Sequence, residues 1–327
     1  MGMGWYVARR VAWAGVVTFV ILTITFVLLD AAPNAGLSQV QFQAAQSGQS
    51  VESATEAYQA RRGLQGPLWE RYLDYLNNLA TGDWGWSDTR SQPVSEAILT
   101  AIPYSMMYGV PSVILSTIIG MGIGLYSAVH QYERSDYIAT LAAFFGVSIP
   151  NFWFGIVLLL VFSVQLNWFP VLFDAQIGIN RTFSIANLRQ LVLPVIVLMT
   201  AALAGNARYA RAEALEYVQA EFVKTARAKG ATGWRMLTRH ILRPALVPLS
   251  TLLVGDLLGL VLTSSYLVEV VFGIPGLGFL SYQAIIQQDT ALVLGTTLIP
   301  VFIAVIGNLL QDIVYTVLDP RISYGER

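Results

Sequence analysis

The residues able to do chemistry in this chain are few and fall in two places. One is the segment Glu221-Phe222-Val223-Lys224-Thr225-Ala226-Arg227-Ala228-Lys229-Gly230, which holds both lysines of the sequence. Its acid comes early, its bases come late and a glycine ends it, the charge order that a helix dipole favours. Ala226 and Ala228 leave room for another backbone, and Arg227 and Lys229 beside them can pair with acids on a partner. The residues alone leave two uses open: docking onto a protein, or contact with anionic lipid headgroups. The other place is Asp256, between Gly255 and Leu257 in an apolar run. A charge at mid-bilayer costs at least about 2.5 kcal/mol. This acid therefore either faces a translocation path or bonds a polar group on a neighbouring helix, such as Asn206 or Asn308.

What is missing narrows the classes further. Cysteine is absent, so there is no disulfide framework, no thiolate nucleophile and no zinc site of the cysteine type. The two histidines, His130 and His240, are too far apart in sequence to suggest a metal centre. A P-loop needs Gly-x-x-x-x-Gly-Lys-Ser/Thr; Thr225 does follow Lys224, but neither lysine follows a glycine. Without Gly-x-Ser-x-Gly or His-Glu-x-x-His, hydrolase and metalloprotease readings lack their minimum chemistry. The expectation is a chain that is no enzyme and carries no cofactor or metal; any ATP and magnesium must be bound by another subunit.

The elements that would position these residues are membrane helices. The chain is 55% hydrophobic and only 12% charged, with a mean hydropathy of +0.58, whereas soluble chains are about a quarter charged. Long apolar runs occur at Val11 to Leu29, Pro103 to Val129, Ile138 to Val164, Leu191 to Ala212, Ala245 to Val268 and Ala291 to Leu318. That makes an all-α polytopic membrane protein of about six spans, because the runs are continuous rather than alternating and lipid forces each segment to satisfy its own backbone. The first run is longer than a signal-peptide core and reads as an uncleaved span, although Ala31-Ala32 offers small residues for the cleaved alternative.

Basic residues set the orientation. Arg9, Arg10, Arg134, the dense set from Arg208 to Arg243, Arg321 and Arg327 share one side if the spans alternate, and that side should be the cytoplasm. Arg181 and Arg189 fall on the other side, as do Arg61, Arg62, Arg71 and Arg90, in a stretch too long for the charge rule to apply. Both termini are expected inside, and Asp312, near the inner end of the last run, reads as structural, pairing with a cytoplasmic arginine. The formal net charge of −1 gives no reason to expect nucleic acid.

The expected organisation is a cytoplasmic N-terminus with the first span (1–30), an extracytoplasmic segment (31–100), a membrane core (101–320) containing a cytoplasmic loop at 213–244, and a cytoplasmic tail (321–327). In the external segment, Val51 to Arg62 and Pro67 to Leu79 read as short helices punctuated by Gly63 and Gly66-Pro67. Gly82-Asp83-Trp84-Gly85-Trp86-Ser87 reads as a turn with tryptophans at the membrane interface. Gly120, Gly122 and Gly124, and Gly255 and Gly259, are expected to let helices pack closely. Asn180-Arg181-Thr182 fits a glycosylation acceptor and is read as unused.

At the basic segment the sequence resembles the cytoplasmic coupling loop of ABC importer permeases, and within them the dipeptide, oligopeptide and nickel permease family. The general Glu-Ala-Ala pattern is degenerate: Lys224-Thr225-Ala226 takes its place, Gly230 matches, and Ile241-Leu242-Arg243-Pro244 follows with a shifted ending. The peptide branch fits better, with Thr-Ala-Arg-Ala-Lys-Gly intact at 225–230. Similar to the same branch are Gly82-Asp83-Trp84-Gly85 with Ser87, Ser148-Ile149-Pro150-Asn151-Phe152-Trp153, Val268-Glu269-Val270-Val271-Phe272 with Pro275-Gly276-Leu277-Gly278, and Leu318-Asp319-Pro320-Arg321. The resemblance covers nearly the whole chain, although an acid at Asp256 is not part of it.

The resemblance implies a type I ABC importer permease-like fold, with residues 225–230 as the coupling helix that fits a groove on a nucleotide-binding subunit. It implies four kinds of contact: a second homologous permease, two ABC ATPase subunits, an extracytoplasmic substrate-binding protein and membrane lipid. Peptide is the implied cargo, and Asp256 would then attract a peptide's amino end if it faces the path. Two rivals remain open: a secondary transporter driven by an ion gradient through Asp256, and a membrane-bound enzyme using His130 or His240.

Overall fold

The computed structural model describes residues 3–31, 35–61, 63–180, 182–246, 249, 255–256 and 266–318. Among them the chain is almost wholly helical and divides by internal contacts into two units, residues 1–101 with 280–327, and residues 102–279. Among the described residues four helices are long and apolar enough to cross a membrane, and one pair bent by 90° makes a fifth candidate if it is a single broken span.

In the first unit, α1 (Met3–Ala31) is an apolar helix on which Trp13, Phe19, Ile24 and Leu28 stand exposed, a surface suited to lipid rather than water. Three short helices follow: α2 (Ala35–Ser47), α3 (Val51–Arg61) and α4 (Leu68–Thr81). The α3 and α4 boundaries fall close to the expected helices, whereas α2 was not foreseen. Phe26 of α1 lies against Tyr72 and Tyr75 of α4 at 5.1 and 5.4 Å between ring centres, and Asp30 pairs with Arg71. Gly82 ends α4 in the left-handed conformation, φ 82°, as glycine can without penalty. A two-stranded hairpin, β1 (Trp86–Ser87) against β2 (Gln92–Pro93), leads into α5 (Val94–Val129). The unit closes with α14 (Thr290–Leu318), which packs on α1. On it, Gly295 meets Val94 and Ile98 so closely that a Cβ there would lie 2.3 Å from Val94.

The second unit holds the rest of α5, then α6 (Arg134–Ser148), α7 (Asn151–Leu158), α8 (Ala175–Asn180), α9 (Ile185–Val218), α10 (Glu221–Ala228), α11 (Gly233–Arg235), α12 (Tyr266–Phe272) and the start of α13 (Leu277–Ile286). The run expected to cross as one helix from Ile138 to Val164 is interrupted. Ile149 is extended (φ −100°, ψ 129°) between α6 and Pro150, and α7 starts after that proline. A residue before proline is driven out of the helical region, which breaks the run there. The lower half continues as a wide π-helical turn, Leu159–Gln165. A buried cluster of Tyr108, Leu191, Leu193, Val197, Val268, Phe272 and Ile274 joins α5, α9 and α12.

Two of the glycines expected to serve packing do so. A Cβ on Gly124 would lie 2.4 Å from the Ala207 carbonyl oxygen, and one on Gly120 would lie 2.7 Å from Asn206 Cβ. Among the described residues nothing lies within 4 Å of a Cβ on Gly122 or Gly255. Gly259, most of the run from Ala245 to Val268, Arg181 and the Asp319-Pro320-Arg321 motif lie outside the described residues, as do the side chains of Asn180 and Asp312.

Candidate functional site

The long helix α9 ends at Val218, and the chain reverses through Gln219 and an extended Ala220 (φ −66°, ψ 145°) into α10. Ala220 accepts the amides of Val223 and Lys224 at 3.0 and 3.1 Å, which starts the helix without a side-chain cap. One residue anchors it. Val223 is fully buried in a cluster with Leu125, Ala128, Ala214, Met236 and Ile241, against which Ala226 and Ala231 also pack. The opposite face, Phe222, Lys224, Thr225, Arg227, Ala228 and Lys229, stands exposed.

The end of α10 is built by its glycine. Gly230 has φ +80°, its amide reaches the Arg227 carbonyl at 3.0 Å, and the next amide, Ala231, reaches Ala226 at 3.1 Å. That pair of bonds with a left-handed residue between them is a Schellman stop, and Ala226 and Ala231 on its two sides pack against the same buried cluster. The helix is thus a short amphipathic peg whose buried side is apolar and whose outer side is basic. Lys224 pairs with Glu221 at 2.7 Å, but both are well exposed, so the pair adds little. All the residues singled out from Glu221 to Gly230 share this one protrusion. Trp234 on α11 is also exposed, at 76%.

Near the same end of the second unit, Arg211 of α9 reaches Asp136 of α6 at 2.9 Å, with the carboxylate almost fully buried. Burial pushes the Asp136 carboxyl up, but the Tyr132 amide, the Ser127 hydroxyl and the Arg211 guanidinium together hold it below the usual carboxylate range. Neither residue was singled out from sequence as part of such a lock, since their pairing spans 75 positions.

In the candidate path, Asn206 is nearly buried and hydrogen-bonds the Asp256 carboxylate. Its amide also donates to Ser116 and Thr117 hydroxyls at 3.4 and 3.5 Å. Asn308 is exposed on α14 in the other unit. The structure therefore gives Asp256 the polar partner on a neighbouring helix that was the second of its two expected uses, and of the three candidate path residues it brings these two together.

A second acid, Glu269, went unassigned in the sequence reading, which quoted it only within a motif. It is fully buried on α12 and accepts the Ser105 hydroxyl at 2.6 Å, the Tyr108 hydroxyl at 2.9 Å and the Phe279 amide at 2.8 Å. Ser105 in turn accepts the Leu277 amide at 2.8 Å. Gly276 and Gly278 make room for this: a Cβ on Gly276 would lie 2.3 Å from the carboxylate, and one on Gly278 would lie 2.9 Å from the Tyr266 backbone. The Glu269 motif and the Pro-Gly-Leu-Gly motif are one device that fixes the bend between α12 and α13. A lone acid in an apolar run followed by closely spaced glycines was the available signal.

In the first unit, buried Asp289 at the start of α14 accepts the Ser87 hydroxyl at 2.6 Å, the Thr89 hydroxyl at 2.8 Å and the Leu292 amide at 3.1 Å. Burial raises its pKa, but these donors outweigh it and hold the carboxyl below the ordinary value. Of the tryptophans expected at the interface, Trp86 is exposed, whereas Trp84 packs edge-on against Phe302 at 5.7 Å.

Comparison with known proteins agrees with this architecture. Residues 120–324 match the family of binding-protein-dependent transport system inner membrane components. Over 98% of its length the chain is 35% identical to the whole of the oligopeptide transport system permease protein AppB of Bacillus subtilis. It is 31% identical, over 98% of its length and 99% of the relative, to the oligopeptide transport system permease protein OppB of Haemophilus influenzae. With the dipeptide transport system permease protein DppB of Lactococcus lactis it shares 31% identity, over 97% and 98% of the two chains. Several apolar helices of spanning length and a family match through nearly two thirds of the sequence lead to one assignment: this multi-pass membrane chain belongs to the binding-protein-dependent transport system inner membrane components.

Proposed function

We propose that this chain is one permease subunit of an ATP-driven peptide importer in the cell membrane, with both termini in the cytoplasm. It forms half of a translocation path with a second, homologous permease, and it binds neither ATP nor magnesium itself. Two ATPase subunits supply the work and an extracytoplasmic binding protein delivers the cargo. The names of its relatives, oligopeptide and dipeptide permeases, support the cargo class.

The observation that carries the reading is the shape of α10: a peg with one fully buried anchor, Val223, and an exposed basic face ended by Gly230. A groove on one of the ATPase subunits receives that face, and its closure pulls on α10. Because Val223 and Ala226 share a cluster with Leu125 and Ala128 of α5 and Ala214 of α9, the pull passes directly to two apolar helices of spanning length. Asp256, with its partner Asn206, lines the path, where a carboxylate suits a peptide's amino end.

The chain has no cysteine, so one introduced thiol can be labelled without background. Thr225→Cys should react with a membrane-impermeant maleimide in inside-out vesicles and stay unlabelled in intact cells. Labelling of intact cells would put α10 on the wrong face and end the proposal.

A further inference from the structure

The first unit contains a cavity of about 600 Å³, walled by the end of α1, helices α2 to α4, the hairpin and the start of α14. Pockets of about 300 to 1,000 Å³ take ligands of small-molecule size. Its wall carries five carboxylates, Asp30, Asp74, Asp83, Asp88 and Asp289, against two guanidiniums, Arg61 and Arg71, with Phe26, Tyr58, Tyr75 and Trp84 between them. The excess of acid selects a cationic group, and aromatic faces favour the same charge.

Much of this wall is preorganised. Asp289 is fixed by Ser87, Thr89 and Leu292, Asp83 accepts the Gly85 amide at 3.1 Å, and Asp30 is paired with Arg71. The rim residues Asp74, Asp88 and Arg61 are exposed. Among the described residues no group of three or more His, Asp or Glu is arranged to hold a metal ion, while both acids and guanidiniums line the wall. The lining suits an extended molecule with separated charges rather than a bare cation.

We infer that this cavity is a binding site for a short peptide with free ends, which holds the amino terminus by Asp74 and Asp88 and the carboxylate by Arg61. The inference rests on the importer reading, under which the cavity opens on the extracytoplasmic face. It adds a site on the permease itself at which cargo is held apart from the binding protein.

The test uses the assembled importer in lipid nanodiscs without its binding protein, and radiolabelled trialanine as the probe. Saturable binding is expected. N-acetyl-trialanine should compete at least about tenfold more weakly than trialanine, and the double variant Asp74→Asn/Asp88→Asn should lose at least about tenfold in affinity for the free peptide. Arg61→Gln should abolish the preference for trialanine over its C-terminal amide. Binding insensitive to both acetylation and the double variant overturns the site. Import of trialanine once binding protein is added, in a complex that shows no binding without it, also overturns the site and leaves the importer reading standing. Binding in a complex that imports no peptide supports the site and removes the cargo assignment.

Discussion

The Ser105 hydroxyl donates to Glu269 at 2.6 Å while accepting the Leu277 amide at 2.8 Å, so one side chain of α5 holds both arms of the bend between α12 and α13. The same carboxylate takes the Phe279 amide, in the first turn of α13. It does for that helix what a capping side chain does, from the preceding helix instead of the preceding residue.

Glu269→Ala should therefore destabilise the protein by about 3 kcal/mol, because it leaves buried hydroxyl and amide donors without an acceptor. Gly276→Ala should act through the same contacts, since its Cβ would fall 2.3 Å from Glu269 and 2.4 Å from Ser105. Chemical unfolding in detergent of the two single variants and the double is the measurement. The double should lose clearly less than the sum of the singles. Full additivity would mean that the two motifs are separate devices.

The two ends of α10 separate folding from docking. Gly230→Ala places a Cβ on a residue at φ +80° and should cost about 1 kcal/mol of stability. Arg227→Glu reverses an exposed charge and should leave stability within about 0.5 kcal/mol. It should nevertheless weaken co-purification with the ATPase subunits at least about tenfold, or uncouple hydrolysis from uptake. Normal assembly together with normal transport in Arg227→Glu counts against α10 as the docking element.

This contrast between local and distant relationships explains what the sequence could disclose. The α10 peg was legible because its charge order, its small residues and its terminal glycine lie within ten consecutive positions. The interruption at Ile149-Pro150 was present in the sequence too, yet continuous hydropathy across it outweighed a single proline. Glu269 could not be assigned, because its hydroxyl donors lie 161 and 164 positions away. The Ser87–Asp289 bond joins residues 202 apart. Neither pair leaves a periodic trace, since a buried acid and its donors share no helix. Helix α2, rich in glutamine, carries no apolar stripe to announce it; a weak pattern of Ala and Gln gave no period to read.

Asp289 makes stability depend on pH with a definite sign. Its folded-state pKa lies below the ordinary value of 3.8, so the unfolded chain binds this proton more readily than the native one. The contribution is present in full well above pH 4 and fades as pH falls through the folded-state value. Wild-type protein should thus lose stability more steeply on acidification below about pH 4.5 than Asp289→Asn does. The variant should be the less stable of the two at pH 7. Parallel pH profiles from pH 7 to pH 3 would remove Asp289 from the account.

Tyr75 is the opposite case. Its hydroxyl is buried with no hydrogen-bond partner among the described residues. Burial, with the neighbouring Tyr72 adding to it, pushes its pKa up to about 12. Desolvating a hydroxyl without a replacement bond opposes folding by about 1 to 3 kcal/mol, and an apolar ring of the same shape avoids this. The ring itself should stay, since it packs on Phe26 at 5.4 Å between centres. Tyr75→Phe is therefore predicted to be neutral or to stabilise by about 1 kcal/mol. Tyr75→Ala should destabilise by about 3 kcal/mol through the lost packing. Thermal unfolding of both variants is the check; a marked loss in Tyr75→Phe would show that the hydroxyl has a partner in the membrane-embedded protein.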